Sequence, residues 1–257
     1  MNRRPSVAAV RVRTTDRERT AAFLALLGFV PTERGDLVVP DGAPVAVELE
    51  EVADRLSPPV AFDRGPRALD IYTTDMDGVL AELSAAGWPV SGPGTISVGP
   101  VTMRQALVVG PDGLPVVLVE STHRRSSLLD EFPDRRCSDP HSVVWCVDDL
   151  DAEAARWAAA GWTLGPVLSF SEPAVSEYLG LPRSPVPIRM VMISDESVAP
   201  VRLELLEFPD DPGPAPAAPA IAGLVLRVPD PDEVGAALAV DGGRTPSGIV
   251  VDLRPAD

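Results

Sequence analysis

Residues 69–88 read LDIYTTDMDGVLAELSAAGW. A short β-type run ends at Asp75, an amphipathic helix follows, and Gly87 stands just before an aromatic residue. Asp75 suits a helix N-cap, where its carboxylate accepts orphan backbone amides. Gly87 suits the left-handed residue that ends the helix. The pattern recurs along the chain. AVRVRTTD ends at Asp16, VVWCVDD at Asp149 and LVLRVPD at Asp230, and a glycine follows twelve positions after each Asp: Gly28, Gly87, Gly161 and Gly242. The segments AAFLALLGF, DGVLAELSAAGW and AEAARWAAAGW carry apolar residues at three- and four-residue spacing, so each helix has one buried stripe. The chain therefore consists of four copies of one unit.

Hairpin signals follow the helices. LVVPDGAPVAVELEE (37–51) and ALVVGPDGLPVVLVES (106–121) place Pro-Asp-Gly turns between apolar runs. IRMVMISDESVAPVRLELLEF (188–208) has the same form with a longer turn. The fourth copy ends in GRTPSGIVVDLRPAD, too short for three full strands, and is expected to be truncated. The polar stretch 121–140 reads as a linker, and the Pro/Ala-rich stretch 208–220 as an extended spacer. The expected fold class is α+β: tandem βαβββ modules forming two domains, residues 1–120 (modules 1 and 2) and 141–257 (modules 3 and 4).

Composition narrows the chemistry. The formal charge of −16 argues against binding a phosphate backbone. Every cation is Arg and none is Lys, which excludes a lysine Schiff base, lysine-held pyridoxal phosphate and a P-loop lysine. The residue usage resembles that of a GC-rich bacterial coding sequence. Cys137 and Cys146 fit a reducing compartment. The opening MNRRPSVAAVRVR has no apolar leader core and no run reaches membrane-spanning length, so a soluble, cytoplasmic monomer or homodimer without nucleic-acid or membrane partners is expected.

The paired strand–Asp–helix–Gly-aromatic units, with their PDG hairpins and ELxE-like last strands, resemble the vicinal oxygen chelate superfamily of glyoxalase I, bleomycin-resistance proteins and extradiol dioxygenases. The resemblance covers nearly the whole chain and is weakest in the fourth copy. It implies curved sheets that enclose a cleft, with a metal held by first and last strands of the paired modules. The first-strand ligand positions, seven residues before each Asp, hold Ala9, Ala68, Ser142 and Gly223. The last-strand positions fall at or near Glu48 (or Ala46), Val117, Glu204 and Asp252. Such a set is poor for zinc or iron, which take several N/O ligands, so neither a metal nor another cofactor is expected.

Strand alternation assigns the cleft faces. One cleft would carry Ala9, Arg11, Arg13, Ala68, Asp70 and Tyr72, with Glu48, Glu50, Val117 and Val119; the other Ser142, Val144, Cys146, Arg202, Glu204 and Leu206, with Arg227, Asp252 and Arg254. Candidate proton-transfer groups are Glu48, Asp70, Tyr72 and Glu204, since a cleft carboxylate among apolar neighbours acquires a raised pKa. Against this, Glu48 could pair with Arg11 or Arg13, and Glu204 with Arg202 or Arg227. Candidate ligand-binding residues are Arg11, Arg13, Val117, Ser142, Cys146, Arg189 and Tyr178. Cys146 reads more readily as a small buried filler, since a reactive thiol would need an activating base or cation beside it, and the directions of Arg104 and Arg189 are open. His141, one residue before a ligand position, reads first as a surface residue opening a strand and would enter the cleft only if a β-bulge swung it there; His123 reads as a solvated linker residue. The insertion LGPVLSFSEPAVSEYLGLPRSPVP (164–187) could close Phe170, Tyr178 and Leu181 over an apolar ligand. Two functions follow. One is a metal-independent isomerase, cyclase or lyase of bacterial specialised metabolism, transferring protons on a mostly apolar, oxygenated small molecule, with Arg11 or Arg13 stabilising an enolate-like charge. The alternative is a drug-resistance-type protein that sequesters a small molecule without catalysis. A metalloenzyme using Glu204, Asp252 and His141 is a third possibility.

Overall fold

In the computed structural model the described residues are 5–40, 45–60, 62–98, 101–194, 201–211, 213–215 and 218–256, the side chain of Val98 excepted. Module 1 comprises β1 (Ser6–Thr14), α1 (Arg17–Leu26), β2 (Val30–Pro31), β3 (Leu37–Val38) and β4 (Ala46–Glu51). Module 2 comprises β5 (Gly65–Thr73), α2 (Met76–Ala85), β6 (Val90–Val98), β7 (Val101–Val109) and β8 (Pro115–Ser121). A short helix, α3 (Leu128–Glu131), precedes module 3: β9 (Cys137–Cys146), α4 (Leu150–Ala159), β10 (Thr163–Leu164), β11 (Leu168–Phe170), α5 (Pro173–Tyr178), β12 (Ile188–Ser194) and β13 (Arg202–Glu207). Module 4 is the truncated copy, with β14 (Ile221–Val228), α6 (Pro231–Ala237) and β15 (Val251–Pro255).

The punctuation expected of the repeat is present. Asp16, Asp75, Asp149 and Asp230 each cap a helix by accepting backbone N–H groups, those of Arg19, Gly78, Ala152 and Glu233 at 2.9–3.1 Å. Gly28, Gly87 and Gly161 follow their helices at φ between 85° and 90°, a region costly for any residue with a Cβ. The fourth copy differs: α6 stops early at a left-handed Ala239 (φ 52°), and Gly242, also left-handed at φ 54°, lies beyond that turn. The Pro111–Gly113 turn joins β7 to β8. The turn residues Asp41 and Gly42, and those at 195–200, lie outside the described residues.

The modules do not pair in chain order. One sheet runs β15-β14-β1-β4-β3-β2 and the other β10-β12-β13-β9-β5-β8-β7-β6, with β11 on β12. Module 1 thus pairs with module 4 and module 2 with module 3, which corrects the grouping 1–120 and 141–257. The stretch 121–140 is likewise no plain linker, since it contains α3 and the start of β9. Part-exposed ion pairs cross the seam between modules 1 and 4. Arg11 of module 1 bonds Asp252 of module 4, and Arg254 reaches back to Glu48 at 3.1 Å. Modules 2 and 3 meet through mostly apolar strands. The helix-facing residues of both sheets, among them Val10, Ile71, Trp145 and Leu226, form one buried core with helix residues such as Phe23 and Trp157. A second apolar cluster lies on the opposite face of the larger sheet, beneath α5.

Candidate active site

The second cluster surrounds a cavity of about 280 Å³ between modules 2 and 3. Its walls include Val117 and Val119 from β8, Ile188 and Met190 from β12, and Leu206 from β13. Phe170, Val175 and Tyr178 of the 164–187 insertion cover it, as expected for a flap; Leu181 packs against the same cluster.

Two carboxyl groups enter this apolar space. Asp70 on β5 is 5% exposed. Its Oδ2 accepts a hydrogen bond from Ser142 Oγ at 3.0 Å, while Oδ1 is buried without a protein partner. Glu204 on β13 lines the same cavity, two residues after Arg202. Burial, then the negative charge of Glu204, holds the Asp70 carboxyl well above the ordinary carboxylate range. Burial pushes Glu204 up to about 7, opposed by the Arg202 charge. Burial, reinforced by Asp70 and Glu204, also raises the Tyr178 phenol, which stays protonated.

Backbone irregularity brings in two further groups. Opposite β9, β5 carries one extra residue between Pro66 and Ala68, which is Arg67; opposite β5, β9 carries one between Pro140 and Ser142, which is His141. A bulge turns a side chain away from the alternation of its strand, and both residues line the cavity. His141 stacks on Tyr72 with centroids 3.7 Å apart and planes 9° from parallel. Its Nδ1 lies 3.2 Å from Arg202 Nη2. A guanidinium only donates, so Nδ1 accepts and Nε2 carries the proton. Burial, then Arg202, lowers the His141 pKa and keeps the ring neutral.

Of the residues singled out from sequence, Asp70, Tyr72, Glu204, Val117 and Tyr178 meet in this cavity, and Ser142 supports Asp70 from beside it. The others are elsewhere. Glu48 and Arg11 sit in the other sheet, bonded to each other at 3.2 Å, and Arg13 pairs with Glu50 at 3.6 Å. Glu48 and Arg11 belong to the ion-pair network across modules 1 and 4, whereas the Arg13–Glu50 pair lies within module 1. Arg189 bonds Glu207 at 2.6 Å and Asp151 at 2.8 Å, and Arg104 makes the same pair of bonds to Glu120 and Asp77. Each arginine thus clamps a last strand to the first turn of its module's helix, a repeat-level role outside the cavity. Cys146 is buried beside the cavity wall, and burial pushes its thiol up to about 11, so it is packing rather than a nucleophile. His123 is exposed but stands at the cavity rim, not free of it. Arg67 was not foreseen. Counting alternation from Ala68 places it on the core face, and only the bulge turns it inward. Pro66, which cannot donate to the ladder, was the available signal.

Two module pairs, each built around antiparallel first strands, define a glyoxalase I-like α+β fold. Glyoxalase I from Zea mays has this fold, with a TM-score of 0.66 at 15% identity over 98% of this chain and 92% of that one. A mutant of the same enzyme gives 0.67 at 14% identity, over 98% and 92%. Methylmalonyl-CoA epimerase from Mycobacterium tuberculosis matches 60% of this chain and 93% of its own with a TM-score of 0.40 at 18% identity. No protein-family model and no curated protein sequence matches the chain. At such identities the likeness concerns fold alone. No helix among the described residues is long and apolar enough to cross a membrane.

Proposed function

We propose that this protein is a metal-independent enzyme that transfers protons on a mostly apolar, oxygenated small molecule held between modules 2 and 3. The carrying observation is the pair Asp70 and Glu204 in one apolar cavity, a costly arrangement that simple sequestration does not require. With Asp70 protonated and Glu204 ionising near neutrality, the pair holds an acid and a base at once. Glu204 takes a proton from a carbon next to a carbonyl, and Asp70 gives its proton to the carbonyl oxygen, forming an enol. In a conjugated dienol, Glu204 returns its proton to the γ-carbon while the enol O–H goes back to Asp70, which completes an isomerisation. Where the β-carbon bears a leaving group, that group departs with the proton from Glu204 as the enol O–H returns to Asp70, which completes an elimination. Arg202 and the neutral Tyr178 phenol line the same cavity and would temper the negative charge that develops on oxygen.

The donor set supports metal independence. The ligand positions of this cavity hold Ala68, Val117, Ser142 and Glu204, two of them hydrocarbon and one engaged with Asp70. In the other sheet Glu48 and Asp252 are neutralised by Arg11 and Arg254. A Cβ on Gly223 would come within 2.8 Å of Val250, so a larger residue has no room there. Among the described residues no group of three or more His, Cys, Asp and Glu side chains could hold a metal ion. These residues do not fit a transition-metal centre. The test is hydrogen exchange in D₂O across a panel of small ketones and keto acids. At least one is expected to exchange its α-proton, and Glu204→Gln to abolish that exchange. Exchange that survives Glu204→Gln contradicts the mechanism. Stoichiometric zinc, iron, manganese or nickel in the purified protein contradicts metal independence.

A further inference from the structure

We propose that the cavity recognises an anion, a small apolar molecule bearing a carboxylate or comparable oxyanion, and that Arg67 is its anchor. This rests on the cavity being the functional site and adds what it selects. Arg67 is 5% exposed and lines the cavity. Its Nη2 donates to the carbonyl of Leu179, the residue closing α5, at 3.2 Å. Its Nη1 is buried without a protein partner, and among the described residues no carboxylate forms an ion pair with it. A buried guanidinium without a counterion is expensive, and one anionic ligand would relieve it.

Other groups point the same way. Arg202 Nε, Arg124 Nε and His141 Nε2, which carries the ring proton, are also buried without partners. The lining is rich in cations: Arg67, Arg124, Arg125 and Arg202 stand beside Asp70 and Glu204, with Arg124 paired to Asp130. An anionic ligand suits that lining. Because the same guanidinium holds the α5 flap, ligand binding and flap position share one side chain.

The experiment compares benzoate, phenylacetate and octanoate with their neutral primary amides by calorimetry, on the full chain, for wild type, Arg67→Gln, Arg67→Lys and Glu204→Gln. A charge-assisted hydrogen bond to a buried guanidinium predicts that at least one carboxylate binds about ten- to hundredfold tighter than its amide. Arg67→Gln is expected to abolish that preference. Arg67→Lys, which keeps the charge without the planar fork, is expected to retain part of it and covers the case in which the Gln variant does not fold. Absence of carboxylate binding, equal binding of acid and amide, or a preference that survives in folded Arg67→Gln overturns the proposal. The two proposals fail separately. Carboxylate preference with no α-proton exchange by the wild type leaves the anion site standing and removes the catalysis. Glu204-dependent exchange with no acid preference does the reverse.

Discussion

The two sheets of this protein are built on one plan and filled with opposite chemistry. Every first strand or its partner carries a bulge eight residues before the helix-capping Asp: Ala8 in β1, Arg67 in β5, His141 in β9 and Ala222 in β14. The last strands match as well. Glu48 stands opposite Arg11, Val117 opposite Asp70, Glu204 opposite Val144 and Asp252 opposite Val225. In the sheet of modules 1 and 4 the bulges hold alanine, and the carboxylates are consumed by Arg11 and Arg254. In the sheet of modules 2 and 3 the bulges hold a cation and an imidazole, and the carboxyl groups lie in an apolar cavity with few partners. A shared backbone fixes where side chains enter; whether charges meet their opposites there decides between a glued interface and a reactive pocket.

This contrast can be broken by matched substitutions. Glu204→Gln should lower α-proton exchange about 10²–10⁴-fold, the usual contribution of a positioned general base, whereas Glu48→Gln at the matching position should leave it unchanged in the same assay. The next effect is on stability. Glu204 binds its proton more tightly folded than unfolded, so the folded state loses stability as pH rises from the ordinary carboxylate range through about 7. Glu204→Gln should therefore stabilise the protein by roughly 2 kcal/mol at pH 8 and very little at pH 4 in urea unfolding. Smaller, and alike in both halves, is the loss of a helix cap. Asp16→Ala and Asp149→Ala should each cost about 1 kcal/mol, read from the same unfolding curves. Smallest is Glu48→Gln, which leaves Arg11 and Arg254 sharing Asp252. It should destabilise by less than about 1 kcal/mol, and the loss should shrink in high salt.

Much of this was legible before any coordinates. The Asp–Gly spacing located three full helices and the start of the fourth, and alternation put Asp70, Tyr72, Val117 and Glu204 on cavity-facing sides. Pairing was not legible. The β4-to-β5 and β8-to-β9 connections are of similar length, so chain order did not discriminate, and the ion pair between Arg11 and Asp252 joins residues across the length of the chain. Arg67 was hidden for a different reason. A bulge breaks the period-two rule by one residue, and that rule was the only guide to direction. Arg189 misled because a long cation on a middle strand reads as a ligand contact until its two carboxylate partners are seen.

The account depends most on a proton retained by Asp70 in the cavity that Glu204 also lines. Carboxyl ¹³C NMR titration of the labelled protein, with Asp70→Asn and Glu204→Gln to assign the signals, reads it directly. The expected result is one carboxyl, Glu204, titrating near pH 7 and another, Asp70, remaining protonated well above the ordinary range. Both signals fully ionised by pH 5 would contradict it.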